Sequence, residues 1–311
     1  MKYSYDYYYH ESDVIRDPGI AKDAPANILT EYKDVFADIA NALIFNGRQV
    51  INPDDLEDTS RLSEYYVDHT YRSQERDVIK YVKNHGVKAL LISIENMFYK
   101  KDTYAAKCLS YDGASYGQMY REGKIYEIIP IVLYYENTHW HDHLNLSESY
   151  NTSEQFKNRN EELYQNDYHL NVFEVAYFTD EIINRFHSDF RIVADFIAHR
   201  RTDPNYEGLS EPIKHSFEFY SLMHAISKDD RFNTVLQEDE ERRPKSMKTW
   251  SEQFISQGYE SGKSDGIKEG AKEIAERLMA DQMNMPDEKI SRITGLSLET
   301  VKEIRQSLKN N

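Results

Sequence analysis

Apolar positions along this chain recur at two spacings, and the alternation between them predicts strands interleaved with helices. From Asn27 to Asn46, Leu29, Tyr32, Phe36, Ile39 and Leu43 fall at steps of three and four, and Gly47 follows as a stop. That pattern predicts a helix. A different one governs Val87 to Met97, where Ala89 to Ile94 is apolar on both faces apart from Ser93. It predicts a central, doubly covered strand that ends on a carboxylate, Glu95. Glu75-Arg76-Asp77 leads into a second apolar run, and Asn84-His85-Gly86 predicts the turn that joins the two runs as a hairpin. Residues 104 to 121 have helical spacing interrupted by Gly113 and Gly117, and 125 to 135 reads as a strand. Pro130 in that strand implies an edge position or a bulge. A strand over 171–178, a helix opened by Thr179-Asp-Glu and running to about His199, and a helix over 212–227 complete the pattern. The expected fold class is α/β, a mixed sheet flanked by helices over about 25–235.

The ends of the chain follow other rules. Residues 1–24 hold Tyr3, Tyr5, Tyr7, Tyr8 and Tyr9 without a sustained period and read as a loosely ordered leader. Residues 236–257, with Asp239-Glu-Glu-Arg-Arg-Pro, read as a linker. Over 258–311 a helical C-terminal tail is expected. Gly258, Gly262, Gly266 and Gly270 fall on one stripe of it, where another helix, including that of a second copy in a homo-oligomer, could approach closely. Glycine weakens a helix by about 1 kcal/mol per site relative to alanine, so packing has to compensate. Pro286 to Ile304 resembles a helix-turn-helix whose charges nearly cancel, which suits a protein-contacting hairpin better than a DNA reader.

Charge and composition narrow the options. The 311 residues carry a net charge of −16, which argues against casual nucleic-acid binding. Between Tyr71 and Lys107, however, Arg72, Arg76, Lys80, Lys83, Lys88, Lys100, Lys101 and Lys107 face only Glu75, Asp77, Glu95 and Asp102. The surroundings of the hairpin are therefore locally basic. A single cysteine, Cys108, excludes an intramolecular disulfide and fits a reducing cytoplasm. No apolar run reaches the length of a membrane span, so no membrane partner is expected.

The candidate chemistry sits in the hairpin. Side chains alternate along a strand, so Ser93, Glu95 and Met97 share one face, with Ile92, Ile94 and Asn96 on the other. An ionised group ending so apolar a run has to be paired, protonated or metal-bound. The hairpin brings Asp77, eighteen positions upstream, close to Glu95. Two acids at the edge of a buried sheet suit a divalent ion used in phosphodiester chemistry, and ordinary structural ion pairs are the competing reading. His139, His141 and His143 read as a surface loop rather than a transition-metal site, since no cysteine or fixed fourth ligand accompanies them.

Asp77 followed by an apolar strand ending in Glu95 resembles the active-site arrangement of the PD-(D/E)XK nucleases. More closely, the chain resembles the Rpn family of recombination-promoting nucleases, also called PD-(D/E)XK nuclease family transposases. The matching segments are Phe36-Ala-Asp-Ile-Ala-Asn, Glu75-Arg-Asp-Val, Leu91-Ile-Ser-Ile-Glu-Asn, Tyr111-Asp-Gly-Ala-Ser-Tyr and Ser188-Asp-Phe-Arg-Ile-Val-Ala-Asp, with the glycine-spaced tract, over roughly 27–305. No single motif is specific; their order and spacing together are. The resemblance implies a restriction-endonuclease-like core, Mg²⁺ held by Asp77 and Glu95, a third acid at Asp38, and DNA cleavage that promotes recombination. Met97 departs from the pattern, because that position is usually lysine or glutamine, and a thioether replaces neither. Gln118 or Lys100 is the expected substitute. The alternative is a catalytically silent DNA-binding or assembly protein that keeps the fold.

Overall fold

The computed structural model describes residues 20–67, 70–141, 143–151, 166–281 and 285–310; most of the tyrosine-rich leader lies outside them. The chain divides into two compact units, the first ending at Lys248 and the second beginning at Thr249.

The first unit is built on a five-stranded mixed sheet of order β1-β4-β5-β6-β7. Its strands are β1 (Leu56–Asp58), β4 (Val78–Asn84), β5 (Val87–Met97), β6 (Glu127–Tyr134) and β7 (Val172–Glu174). The pairs β1/β4 and β4/β5 are antiparallel, whereas β5/β6 and β6/β7 are parallel. A separate two-stranded ribbon consists of β2 (Leu62–Val67) and β3 (Thr70–Glu75). The β4–β5 hairpin forms as expected: its two-residue turn has His85 at φ 50° and Gly86 at φ 79°. Positive φ at both positions gives the twist that antiparallel strands need, and Gly86 meets it without strain.

Helices cover both faces of the sheet. α1 (Ile20–Glu31) and α2 (Lys33–Leu43) bury Leu29, Phe36 and Ile39, and Lys80 of β4 lies over the Phe36 ring on that side. α3 (Tyr104–Glu122) packs Tyr104, Ala105 and Cys108 with Met97, Val132, Tyr134 and Trp140 on the other. Farther along the same face, Met119 packs with Ile79, Tyr81, Leu91 and Ile128. The alternation read from β5 thus holds. Beyond the sheet come α4 (Asp180–Ile183), α5 (Asp189–Arg200), α6 (Ser216–Ser227) and α7 (Asp230–Leu236).

Several expectations change for physical reasons. The helix expected over 27–46 breaks at Tyr32, whose ψ of 130° is extended. The helix expected from 179 to 199 is two helices, because the amides of His187 and Ser188 bond to Asp38 and Ser188 caps α5. The strand over 171–178 shortens to β7 and then turns. β6 is an interior strand despite Pro130: β7 begins only opposite Val132, so no partner on that side requires an N–H from the proline. Residues 236–257 are largely ordered, with α7 ending at Leu236 and α8 (Met247–Asp281) beginning within them.

In the second unit, the end of α8 joins α9 (Asp287–Thr294) and α10 (Leu298–Asn310) around Ala275, Met279, Ile290, Val301 and Ile304. Gly295, at φ 74°, makes the turn, and Ser297 Oγ accepts the Thr300 amide at 3.1 Å to start α10. Nothing comes within 4 Å of where a Cβ would stand at Gly258, Gly262, Gly266 or Gly270. Among the described residues no helix is long and apolar enough to cross a membrane.

Candidate functional site

The chain bends at Asp77, one residue before β4 starts. Val78 pairs with Ile94, so the next step of the register places Asp77 opposite Glu95. Asp77 Oδ2 accepts the backbone N–H of Asn96 at 2.7 Å. The Asn96 side chain is fixed in turn: it donates to Asn27 Oδ1 of α1 at 2.9 Å and accepts the Tyr135 hydroxyl at 2.8 Å. Asp77 keeps partial access to solvent, yet burial still raises its carboxyl above the usual range, against the Asn96 amide and Lys107.

Glu95 is almost fully enclosed, with 1% of its surface exposed. Burial, and then the charge of Asp77, push its carboxyl up to about 8, while Lys107, Arg76 and the Tyr104 hydroxyl pull the other way. Oε2 accepts from Tyr104 at 3.2 Å and faces Lys107 Nζ at 3.9 Å. Oε1 is buried and has no hydrogen-bond partner. Burial works to lower Lys107, but Glu95 foremost, with Tyr111 and Asp77, outweighs it and leaves the ammonium raised. Lys107 also lies over the Tyr104 and Tyr111 rings, at 4.8 and 5.2 Å from their centroids.

A buried ion pair supports this floor. Arg76 bonds Asp112 at 2.9 Å, Ser93 Oγ at 3.0 Å and Ser115 Oγ at 3.2 Å, and Tyr168 donates to the other Asp112 oxygen at 2.6 Å. Arg76 and Asp112 are both enclosed, and Arg76 Nε is left without a partner. The network clamps α3 to the base of the hairpin.

The charge of Asp77 raises the affinity of Glu95 for a proton, and one buried Glu95 oxygen lacks a partner. That donor set fits a hard divalent cation, which takes oxygen ligands and keeps several waters. It is a two-carboxylate set: no group of three His, Cys, Asp or Glu side chains that could hold a metal occurs among the described residues.

The remaining expected site residues lie elsewhere. Asp38, the expected third acid, accepts the His187 amide on both oxygens at 2.8 and 2.9 Å and the Ser188 amide at 2.8 Å, which ties α2 to the start of α5. Gln118, an expected substitute for Met97, is exposed and bonds Glu122 along α3 at 2.9 Å. Met97 itself is buried in the apolar cluster under α3. The His139 and His141 rings lie 4.9 Å apart, but His139 pairs with Glu174 at 2.8 Å and His143 lies 3.9 Å from Asp102, and no metal-holding group of three His, Cys, Asp or Glu occurs among the described residues. Cys108 is buried, and burial pushes its thiol up, away from reactivity.

Lys107 is the functional candidate that the sequence pattern did not single out. Its signal is nonetheless present: Tyr104, Lys107 and Tyr111 recur at steps of three and four, which puts a cation at the border of a buried aromatic face. Arg76 gave no such signal, since alternation from β4 does not predict its side of the sheet. Compared with known proteins, the chain matches no family model, no curated protein and no solved structure.

Proposed function

We propose that this chain is a Mg²⁺-dependent DNA endonuclease of the PD-(D/E)XK kind, acting in recombination as the Rpn resemblance implies. The observation that carries the reading is Asp77 opposite Glu95 in the hairpin register, with one buried Glu95 oxygen unpartnered and Lys107 alongside. Asp77 and Glu95 are the residues that would hold the cation. When bound, a divalent cation polarises the scissile phosphate and lowers the pKa of an attacking water. The protein's own groups do the rest. The Asn96 amide orients Asp77, the Tyr104 hydroxyl orients Glu95, and Lys107 places positive charge where a phosphate would approach. Lys107 thereby supplies the cation that Met97 cannot.

One observation favours a second reading, a silent DNA-binding or assembly protein: Met97 is packed as a core residue rather than aimed at the acids. A supercoiled-plasmid nicking assay with Mg²⁺ separates the two. Nicking by the wild type, lost in Asp77→Ala and Glu95→Ala, is the expected result. Nicking that survives Asp77→Ala excludes this site, and its absence from wild type with gain in Met97→Gln supports the silent reading.

A further inference from the structure

A cleft of about 260 Å³ opens where the parallel strands β5 and β6 end. Phe98, directly after β5, and Tyr135, directly after β6, line it as a stacked pair with ring centroids 5.0 Å apart and planes 16° apart. Phe196, Met223 and Phe232 give it an apolar wall from α5, α6 and α7. Crevices at the carboxyl ends of parallel strands are the usual ligand sites of α/β sheets. The volume falls just below the range of about 300–1,000 Å³ for drug-sized ligands, so it admits one small ring system.

The polar groups of the cleft are selective. Arg200 and Arg201 line it, each tethered to a backbone carbonyl, Arg200 Nη1 to Tyr206 and Arg201 Nε to Ala176, both at 2.9 Å. Guanidinium groups held in this way are suited to a phosphate. Glu136 is half-buried and has no hydrogen-bond partner among the described residues, while Asp229 in the same lining is taken up by Arg231. Glu136 is therefore an acceptor in wait for an N–H donor, and amino-bearing bases present one where thymine presents none on an exocyclic group.

From these features we infer that the cleft binds a single nucleotide unit: the base lies in the apolar pocket, its amino edge on Glu136, its phosphate on Arg200 and Arg201. The assignment rests on the nuclease reading and specifies its substrate as DNA with an unpaired or flipped nucleotide near the scissile phosphate. Glu95 and Phe98 are three residues apart, about 10 Å along an extended chain. That is about three base steps at the 3.4 Å rise of one strand. The two sites also share Asn96, whose amide bonds Asp77 and whose side chain bonds the Tyr135 hydroxyl.

The test uses the full chain and metal-free buffer, so that nothing is cut. Duplexes with a single-nucleotide 2-aminopurine bulge and fully paired duplexes are titrated against wild type, Asp77→Ala, Ile226→Trp and Glu136→Gln. Ile226 is half-buried in the cleft lining, so the tryptophan fills the space. Wild type and Asp77→Ala are expected to bind the bulged duplex at least fivefold more tightly than the paired one and to change 2-aminopurine emission. Ile226→Trp is expected to lose that preference while binding paired DNA normally. Glu136→Gln is expected to erase a preference for a guanine or cytosine bulge over thymine. Bulge preference retained in Ile226→Trp overturns the assignment, and base discrimination retained in Glu136→Gln overturns the place of the amino edge. Free dGMP forms the other arm: binding of dGMP blocked by Ile226→Trp, without bulge preference, gives the cleft to a free nucleotide and overturns the strand assignment. Nicking that survives Asp77→Ala in the Mg²⁺ plasmid assay, while bulge preference persists in metal-free buffer, sinks the Asp77–Glu95 nuclease site and leaves the cleft standing.

Discussion

Lys107 Nζ stands 3.9 Å from Glu95 Oε2, reaching the end of β5 from the first turns of α3. On the proposed reading, a cation that arrives from the covering helix relieves the strand of supplying one. The position two residues after Glu95 is then free to be apolar, and Met97 packs there with Tyr104, Cys108 and Trp140.

Lys107→Ala is expected to lower nicking by about 10²-fold, in line with the loss of one group that stabilises developing charge. Met97→Lys is expected to destabilise the fold rather than restore activity, since it buries an ammonium in an apolar cluster. Plasmid nicking together with thermal unfolding of both variants checks this. Full activity in Lys107→Ala sinks the role assigned to it.

Metal binding should depend on pH with a definite sign. With its carboxyl pushed up to about 8, Glu95 holds a proton at neutral pH that a divalent cation has to displace. Mg²⁺ or Mn²⁺ affinity is expected to rise as pH increases towards 8 and to level off above it. Calorimetry at pH 7 in buffers of different ionisation enthalpy should show about one proton released per ion, and none in Glu95→Gln.

The same shift governs stability without metal. The folded carboxyl holds its proton up to about 8 and the unfolded one only to about 4.5. The fold is therefore unpenalised below the lower value and progressively penalised as pH rises through that window. Glu95→Gln is expected to be near neutral at pH 5 and stabilising at pH 9, by at most about 5 kcal/mol. Urea unfolding in EDTA at both pH values measures the difference, and equal effects at the two would contradict it.

Asp38 should matter for folding and not for metal. Removing a buried carboxylate that accepts three amide contacts leaves part-buried donors unmet, so Asp38→Ala is expected to cost about 1–3 kcal/mol. Mn²⁺ affinity, followed by electron paramagnetic resonance, is expected to stay within about twofold of wild type. A tenfold loss would restore Asp38 as a ligand.

Arg76→Met strands Asp112 in the interior and is expected to cost about 3–5 kcal/mol, and the double variant Arg76→Met, Asp112→Leu to recover much of it. Denaturant midpoints of the two variants decide the point.

The hairpin was legible from residue types alone, because its strand period, its glycine turn and the carboxylate near the end of β5 are all local features. The mixed sheet and the helix over α2 were legible on the same grounds. The interior place of β6 was not: Pro130 reads locally as an edge residue, and only the shortness of β7 makes an interior position tolerable.

The site divides in the same way. Local pattern determined that Glu95 belongs to a buried strand and that Asp77 lies across the hairpin from it, although the strand runs on past Glu95 to Met97. Tertiary packing alone decided what meets them. A bend at Asp77 interrupts the alternation that would have placed Arg76, Lys107 comes from a separate helix, and Asp38 is drawn to the amides just before α5, some 150 positions away. A strand's period fixes which way its side chains point, whereas partners between elements are chosen by which buried charges and amides would otherwise go unmet.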